Sequence, residues 1–184
     1  MRGYFGIGVE GVSKPMNVGS LFRTAHAFGA SFVFTIDAQY AHDEGERADT
    51  SRAGQSVPLH EFDSVASMRL PRDCTLVGIE IAEEAELLPS FRHPRCAAYV
   101  LGPERGSLSP ALAAACGHVV KIPTRFAINL AIAGAIVMYD RLISLDRFAA
   151  RPVGERQVAE APTPHAFGAP VLRRPRMRGK GGGG

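Results

Sequence analysis

The segment FGIGVEGVSKPMNVGSLFRTAHAFGASFVFTI, residues 5–36, carries the pattern of a strand, a helix and a second strand. Residues 4–9 predict the first strand, and a helical pattern begins at Asn17, a good N-cap residue, and ends at Gly29. The short apolar run at 31–36 is typical of a strand buried on both faces of a sheet. A strand–helix–strand unit of this kind predicts an α/β fold with parallel strands.

The rest of the chain repeats this alternation. Three further strands are predicted at 75–81, 97–102 and 118–123. Three further helices are predicted at 63–69, 109–117 and 128–144, the second of them with Ser109 as its N-cap. The polar residues between the second strand and the first of these helices, 38–56, predict a long exposed loop. We therefore expect an α/β fold in which helices flank a mostly parallel sheet.

The chain has 184 residues, of which 46% are hydrophobic and 21% are charged, enough for one domain with a substantial core. No apolar run approaches the roughly 20 residues of a membrane-spanning helix, and the glycine-interrupted first residues lack a signal-peptide pattern. The three cysteines show neither zinc-ligand spacing nor a disulfide framework. We expect a cytoplasmic protein with no metal centre and no membrane partner.

Positive charge is concentrated after residue 149. Residues 150–184 contain seven basic and two acidic side chains, whereas residues 1–149 contain 14 basic and 16 acidic ones. The same segment is rich in proline and ends in GKGGGG, a composition that does not build a core. We expect a folded domain over 1–149 and a flexible basic tail over 150–184. Such a tail suits a polyanion partner, and a merely solubilising role is the alternative.

The stretch GIGVEG, residues 6–11, matches the G-x-G-x-x-G pattern of dinucleotide-binding sites. Such a site requires a helix whose N-terminus follows the glycines and faces the pyrophosphate. Pro15 disfavours a helical conformation at Lys14, and the helical pattern starts only at Asn17. We therefore reject the dinucleotide site and keep a nicotinamide-dependent oxidoreductase only as the least favoured alternative.

Two further segments connect predicted strands to predicted helices. LGPERGSLSP, residues 101–110, offers backbone amides to a ligand, and Glu104 within it favours hydroxyls, amines or a positive centre over a phosphate. KIPTRFAINLAIAG, residues 121–134, leads from a strand through a short loop to Asn129. In a parallel sheet the strand ends at one edge converge on one ligand-binding crevice. Both segments should therefore contribute to the same site.

Three segments occur in the order NVGSLFRTAHAFGA (17–30), LGPERGSLSP (101–110) and IPTRFAINLAIAGAIVMYDR (122–141). They resemble the three ordered motifs of the SpoU/TrmH-type RNA 2′-O-ribose methyltransferases of the SPOUT superfamily. Each motif alone is modest, but together they extend over residues 17–141, which is most of the predicted domain.

The resemblance implies an α/β knot, a deep trefoil formed by the C-terminal segment, and a homodimer whose active site lies near the subunit interface. It also implies S-adenosylmethionine as the methyl donor and a ribose of tRNA or rRNA as the acceptor. The residues that would line the donor pocket are Ile79, Glu80, Leu101, Gly102, Ile122, Ala127, Ile128 and Leu130. The residues that match catalytic positions of the family are Asn17, Arg23, Glu104 and Asn129.

Methyl transfer to a hydroxyl needs an aligned oxygen and a route for its proton. Arg23 is suited to holding the phosphate beside the target ribose, because a guanidinium binds phosphate bidentately and is too basic to accept a proton. Glu104 and Asn129 are expected to organise the pocket. Asn17 and Asn129 also occupy positions typical of helix N-caps, and capping is compatible with a role in the site.

Two features depart from the family pattern. The family commonly has a serine two places before the last asparagine, and Ala127 stands there in this chain. The loop from Pro123 to Asn129 is also a few residues shorter than the usual form. Thr124 and Arg125 are the candidates to replace the missing hydroxyl. Because of Ala127, a non-catalytic RNA-binding or assembly factor on the same scaffold is the second functional hypothesis. The expected determinants of the RNA target are the basic tail and the 38–56 loop with His42, Arg47 and Arg52.

Overall fold

The computed structural model describes residues 3–39 and 57–146, in which strands alternate with helices. The strands are β1 (Tyr4–Glu10), β2 (Phe32–Ile36), β3 (Leu59–Phe62), β4 (Thr75–Ile79), β5 (Glu86–Leu87), β6 (Cys96–Leu101) and β7 (His118–Lys121). The helices are α1 (Pro15–Phe28), α2 (Pro110–Ala115) and α3 (Leu130–Leu145), with a 3₁₀ turn at Leu88–Ser90. The basic tail and residues 40–56 of the predicted loop, including His42, Arg47 and Arg52, lie outside the described residues.

The seven strands in the described ranges form one sheet in the order β3-β2-β1-β6-β4-β7-β5. Every strand pair among these residues is parallel, so the predicted α/β class and parallel sheet are confirmed. The carboxyl ends of β4, β6 and β7 therefore lie side by side, with β1 next to β6. Within the same residues no helix is long and apolar enough to cross a bilayer.

Apolar side chains bury both faces of the sheet. On one face α1 and α3 pack against each other, and their side chains form a core with Ile7 and Val9 of β1. On the other face Leu112 of α2 packs with Phe34 of β2 and Val100 of β6. This two-sided burial explains why the strands are nearly continuous apolar runs.

The glycines of GIGVEG serve packing in β1 and the turn after it. A methyl group on Gly6 would overlap the ring of Phe32, and one on Gly8 would overlap Phe34. Gly11 follows the strand with a φ of 60°, in the left-handed region that favours glycine. The packing of β1 against β2 thus accounts for this pattern without a dinucleotide.

Two of the predicted helices need correction. α1 begins at Pro15 rather than at Asn17, because Lys14 has the extended conformation of an N-cap and proline suits the first helical turn. Residues 63–69 contain a turn rather than a helix, since both the backbone N–H and the hydroxyl of Ser67 donate to the carbonyl of Ser64. Serine side chains that bond nearby backbone groups compete with a helix in this way.

A buried cation fixes the C-terminal half of α3 against the sheet. Arg141 is buried and donates to the carbonyl oxygens of Pro94 and Arg95 at 2.6 and 2.8 Å. Its guanidinium also lies over the rings of Phe5 and Tyr99. It donates to the hydroxyl of Tyr99, whose pKa burial raises to about 12. The C-terminal half of α3 is therefore held near the amino end of β6. The N-terminus of α3 reaches the carboxyl ends of the strands, where the predicted site lies.

Candidate active site

A pocket of about 380 Å³ lies at the carboxyl ends of β4, β6 and β7, beside the N-termini of α1 and α3. All the residues predicted to bind the donor line it: Ile79, Glu80, Leu101, Gly102, Ile122, Ala127, Ile128 and Leu130. Three of the four residues predicted to be catalytic also line it: Asn17, Glu104 and Asn129. The structure therefore brings the predicted site residues together, with the exception of Arg23.

Two carboxylates hold the loop between β6 and α2 in place. Glu80, which follows β4, accepts a hydrogen bond from the backbone N–H of Leu108 at 2.9 Å. Glu10, at the end of β1, is buried and accepts from the backbone N–H and the hydroxyl of Ser109. Glu10 was not among the predicted site residues. The sequence did contain a sign of its role, because Glu10 is an ionisable residue at the end of an apolar strand. Such a residue is rarely buried unless it has a partner.

Gly102 allows this loop to approach the backbone closely. A methyl group on Gly102 would lie 3.0 Å from the backbone nitrogen of Leu108 and 3.2 Å from the carbonyl carbon of Ser107. Both contacts are to backbone atoms, which cannot rotate away as a side chain can. A larger residue at this position would therefore displace the loop that forms one wall of the pocket.

Three side chains connect the remaining walls through hydrogen bonds. The side-chain amide of Asn17 donates to Glu104 Oε1 at 3.0 Å, and that of Asn129 donates to Asn17 Oδ1 at 3.0 Å. Asn129 Oδ1 in turn accepts from the backbone N–H groups of Ala131 and Ile132, at 2.9 and 3.4 Å. Residues from all three sequence motifs thus form one hydrogen-bonded chain along the pocket.

Glu104 is the acceptor at the end of this chain. Its two oxygens also accept from the backbone N–H groups of Ser13 and Lys14, at 3.3 and 3.2 Å. Burial raises the pKa of Glu104, but the hydrogen bonds from Asn17 and from backbone N–H groups outweigh burial and hold the pKa below its ordinary value. Glu104 is therefore a carboxylate at neutral pH, and it places negative charge beside the pocket.

The two asparagines differ in their helical roles. Asn129 is the N-cap of α3, as predicted. The prediction that Asn17 is an N-cap is wrong, because Lys14 holds that position and Asn17 lies within the first turn of α1. The side chain of Asn17 is consequently available to join Glu104 and Asn129. Lys14 also lines the pocket, although it was not among the predicted site residues.

Arg23 is exposed on α1 and is not among the described residues that line the pocket. It lies close in sequence to Ser20 and Thr24, which face an open groove between α1 and α3. The other residues of this groove, most of them apolar, are Phe28, Ala131, Ile132, Ala135, Ile136 and Tyr139. Within one chain, Arg23 is thus the predicted catalytic residue that does not line the pocket.

The loop between β7 and α3 forms the exposed side of the pocket. All residues from 123 to 127 are exposed, and Thr124 and Ala127 line the pocket. Phe126, between Arg125 and Ala127, is 75% exposed. The site therefore combines carboxylates, amides and apolar walls on the inside with an aromatic ring and cationic side chains around its mouth.

Residues 5–139 match the profile of the SpoU rRNA methylase family. The chain belongs to this family. The three sequence motifs fall within the matched range or end just beyond it, so the resemblance they indicated is confirmed.

One relative of this SpoU-family chain is the mouse (Mus musculus) protein named tRNA (guanosine(18)-2′-O)-methyltransferase TARBP1. The two are 26% identical over 137 residues, which cover 70% of this chain and 9% of the mouse protein. The similarity is therefore to a small part of a much longer protein.

Two solved structures of methyltransferases have the same fold. The SpoU methyltransferase AviRb from Streptomyces viridochromogenes, in complex with AdoMet, is 22% identical with a TM-score of 0.64, over 76% of this chain and 60% of that one. The AdoMet-bound rRNA methyltransferase from Sinorhizobium meliloti is 20% identical with a TM-score of 0.69, over 80% of this chain and 59% of that one. This chain thus spans about three fifths of each of these proteins.

Proposed function

We propose that the chain transfers the methyl group of S-adenosylmethionine to the 2′-hydroxyl of a ribose in tRNA or rRNA. The observation that carries this proposal is the hydrogen-bonded chain of Glu104, Asn17 and Asn129 along a pocket built from all three family motifs. Family membership and the name of the mouse relative support RNA and the 2′-oxygen as the targets.

The pocket has the properties that S-adenosylmethionine requires. Its volume of about 380 Å³ is within the usual range for small-molecule sites. Ile79, Leu101 and Ile122 offer apolar walls to a purine ring, and Gly102 lets the loop that forms one wall pack closely against the end of β6. The ionised Glu104 favours a positive centre. Two structures with the same fold contain AdoMet, which supports this donor.

S-adenosylmethionine supplies a methyl group on a positively charged sulfur atom. The protein's part is to align the ribose oxygen with that group and to exclude other orientations. Asn17 and Asn129 fix the relative positions of α1 and α3, and Glu104 fixes the loop after β6. None of these three is a suitable base, because the amides are not basic and the pKa of Glu104 is lowered. The hydroxyl proton is therefore expected to leave to the neighbouring phosphate or to water.

Arg23 binds the phosphate beside the target ribose in this proposal. Since Arg23 lies away from the pocket of its own chain and next to the groove between α1 and α3, we place it at the pocket of a second copy. The apolar lining of the groove supports a homodimer, because covering these apolar side chains is favourable.

The proposal also includes the C-terminal trefoil knot of the family and action in the cytoplasm.

A non-catalytic RNA-binding or assembly factor is the second candidate, and the observation that favours it is Ala127. This residue lines the pocket but offers no hydroxyl. Thr124, which lines the same pocket four residues before Ile128, is our candidate for the missing polar group. The two candidate functions differ in whether the protein binds S-adenosylmethionine.

The proposal is tested by incubating the protein with unmodified tRNA and rRNA transcripts and S-adenosylmethionine labelled in its methyl group. Label should enter RNA and survive alkaline hydrolysis as a dinucleotide, because a methylated 2′-oxygen cannot attack the adjacent phosphate. Arg23→Ala should lower the rate by about 100-fold or more, since loss of positioning is costly, while donor affinity is unchanged. Arg72→Ala, at an exposed arginine in the turn before β4, is the matched control.

Three results would contradict the proposal in different ways. Absence of donor binding at millimolar S-adenosylmethionine would favour the non-catalytic factor. Label that is released as mononucleotides would indicate methylation of a base rather than of the ribose. Full activity of the Arg23→Ala variant would remove Arg23 from the mechanism.

A further inference from the structure

Two large, exposed apolar side chains adjoin, in sequence, residues that line the pocket. Phe126 is 75% exposed and Met16 is 78% exposed. Single exposed apolar residues are common and need no explanation. These two, however, come from segments that meet at one point, the 3.0 Å hydrogen bond between Asn17 and Asn129. Met16 is one residue from that bond and Phe126 is three residues from it.

The charged groups at the mouth of the pocket favour a polyanion. Lys14 lines the pocket, and the exposed Arg105 and Arg125 each adjoin a residue that lines it. The carboxylates Glu80 and Glu104 are engaged by backbone N–H groups. An exposed aromatic ring together with nearby cations is the combination that binds a single-stranded nucleotide, whose base stacks while its phosphate meets the cations.

We propose that Phe126 stacks on a nucleobase of the substrate RNA, with Met16 packing at the edge of the same base. This inference rests on the proposed function, because it assumes that RNA enters the pocket from this side. It assigns to Phe126 the binding of the target nucleotide or its neighbour. Stacking of this kind accepts any base, since every base has a π-face. Phe126 thus contributes affinity and position rather than base specificity.

The experiment uses a short RNA of about 12 nucleotides that carries 2-aminopurine, a base whose fluorescence is quenched by stacking. Wild-type protein should bind and quench it. Phe126→Ala should weaken binding by about 5- to 150-fold, equivalent to about 1–3 kcal/mol per stacked base, and abolish the quenching. Phe126→Trp should retain both properties. Phe126→Leu, which keeps apolar bulk but has no ring, should behave like the alanine variant.

Leu87→Ala is the matched control, because Leu87 is an exposed apolar residue on β5 and is not among the described pocket residues. It should bind the RNA as the wild type does. Unchanged binding by Phe126→Ala, or wild-type behaviour of Phe126→Leu, would overturn the proposal. So would reduced affinity of Phe126→Ala for S-adenosylmethionine, or its dissociation into monomers in sedimentation, since Phe126 would then serve the donor pocket or a protein interface.

Failure of the proposed function would look different. Wild-type protein that quenches the RNA but transfers no methyl group would contradict the methyltransferase and leave the stacking intact. Wild-type protein that methylates RNA without quenching the 2-aminopurine would overturn the stacking alone.

Discussion

At the scale of single residues, the hydrogen-bonded chain at the pocket has a fixed direction. Ionised Glu104 can only accept, so Asn17 must turn its NH₂ group toward Glu104 and its oxygen toward Asn129. Asn129 must then keep its own oxygen for the N–H groups at the start of α3. Each amide thus has a single suitable orientation, and a change at one member affects the other two.

This direction predicts a pH-dependent effect of Asn17→Asp. The variant places a second carboxylate beside Glu104, and it should lower the free energy of unfolding by about 1–3 kcal/mol at neutral pH. In the wild type the pKa of Glu104 is lowered by folding, so its contribution to stability is present at neutral pH and lost as pH falls through that value. In the variant, repulsion between the two carboxylates raises the pKa of the pair, so the pair takes up a proton as pH falls. The difference in the free energy of unfolding between wild type and variant should therefore shrink as pH falls.

Urea unfolding of both proteins between about pH 7.5 and pH 5 measures this difference. The double variant Asn17→Asp with Glu104→Gln should be less destabilised at neutral pH than the sum of the two single variants, because the second carboxylate is gone. A loss of unfolding free energy that does not change with pH would show that Asn17 and Glu104 are not coupled. Losses in the two single variants that add up to the loss in the double variant would show the same.

Sequence motifs predicted which residues meet at the pocket but not how they contact one another. The resemblance to the family's motifs assigned Asn17, Glu104 and Asn129 to one site, and the position of two of the motifs after predicted strands agreed with that assignment. The hydrogen bond from Asn17 to Glu104 depends on the true start of α1 at Pro15, which moves Asn17 from the cap position into the first turn. Glu10 was missed because burial of a carboxylate depends on a partner, Ser109, that is 99 residues away.

At the scale of elements, β1 packs closely against β2 because Gly6 has no side chain. Gly6 faces the ring of Phe32, which also stacks with the rings of Tyr4 and Phe34 at centroid distances of 5.6 and 5.9 Å. The ring is therefore held between neighbours and cannot easily move. We expect Gly6→Ala to lower the free energy of unfolding by about 1–3 kcal/mol, the usual cost of overpacking.

The measurement is denaturant unfolding of Gly6→Ala alone and combined with Phe32→Leu, which removes the ring that the new methyl group would meet. The double variant should lose less stability than the sum of the two single variants. Strict additivity would mean that Gly6 is not retained to accommodate Phe32.

Element positions were predictable where a local signal defined them. The cap of α2 at Ser109 and the cap of α3 at Asn129 combine a good capping residue with a following apolar pattern, and both are confirmed. The helix at 63–69 was wrong because Ser64 and Ser67 bond locally. β3 and β5 were missed, because edge strands with exposed side chains lack the continuous apolar run of the central strands.

At the scale of the whole molecule, the proposed dimer explains the apolar groove between α1 and α3. Ile132 is 56% exposed and lines this groove with Tyr139 on the same helix. Ile132→Glu should introduce a charge into the interface and convert the dimer to a monomer in sedimentation, with unchanged helix content by circular dichroism. A wild-type protein that sediments as a monomer would contradict the dimer outright.

The position of Arg23 outside its own pocket leads to a sharper prediction about this dimer. Arg23→Ala leaves the residues that line the pocket unchanged, whereas Gly102→Val should displace the loop that forms one wall of the pocket and keeps Arg23. Each variant should be inactive alone. In an equimolar mixture that exchanges subunits, half of the dimers contain one copy of each variant. In these mixed dimers the Arg23→Ala chain has an intact pocket that faces a normal Arg23. About a quarter of wild-type activity should therefore return, because one site in two is complete in half of the dimers. If Arg23 instead served the pocket of its own chain, no mixed dimer would contain a complete site and mixing would restore nothing.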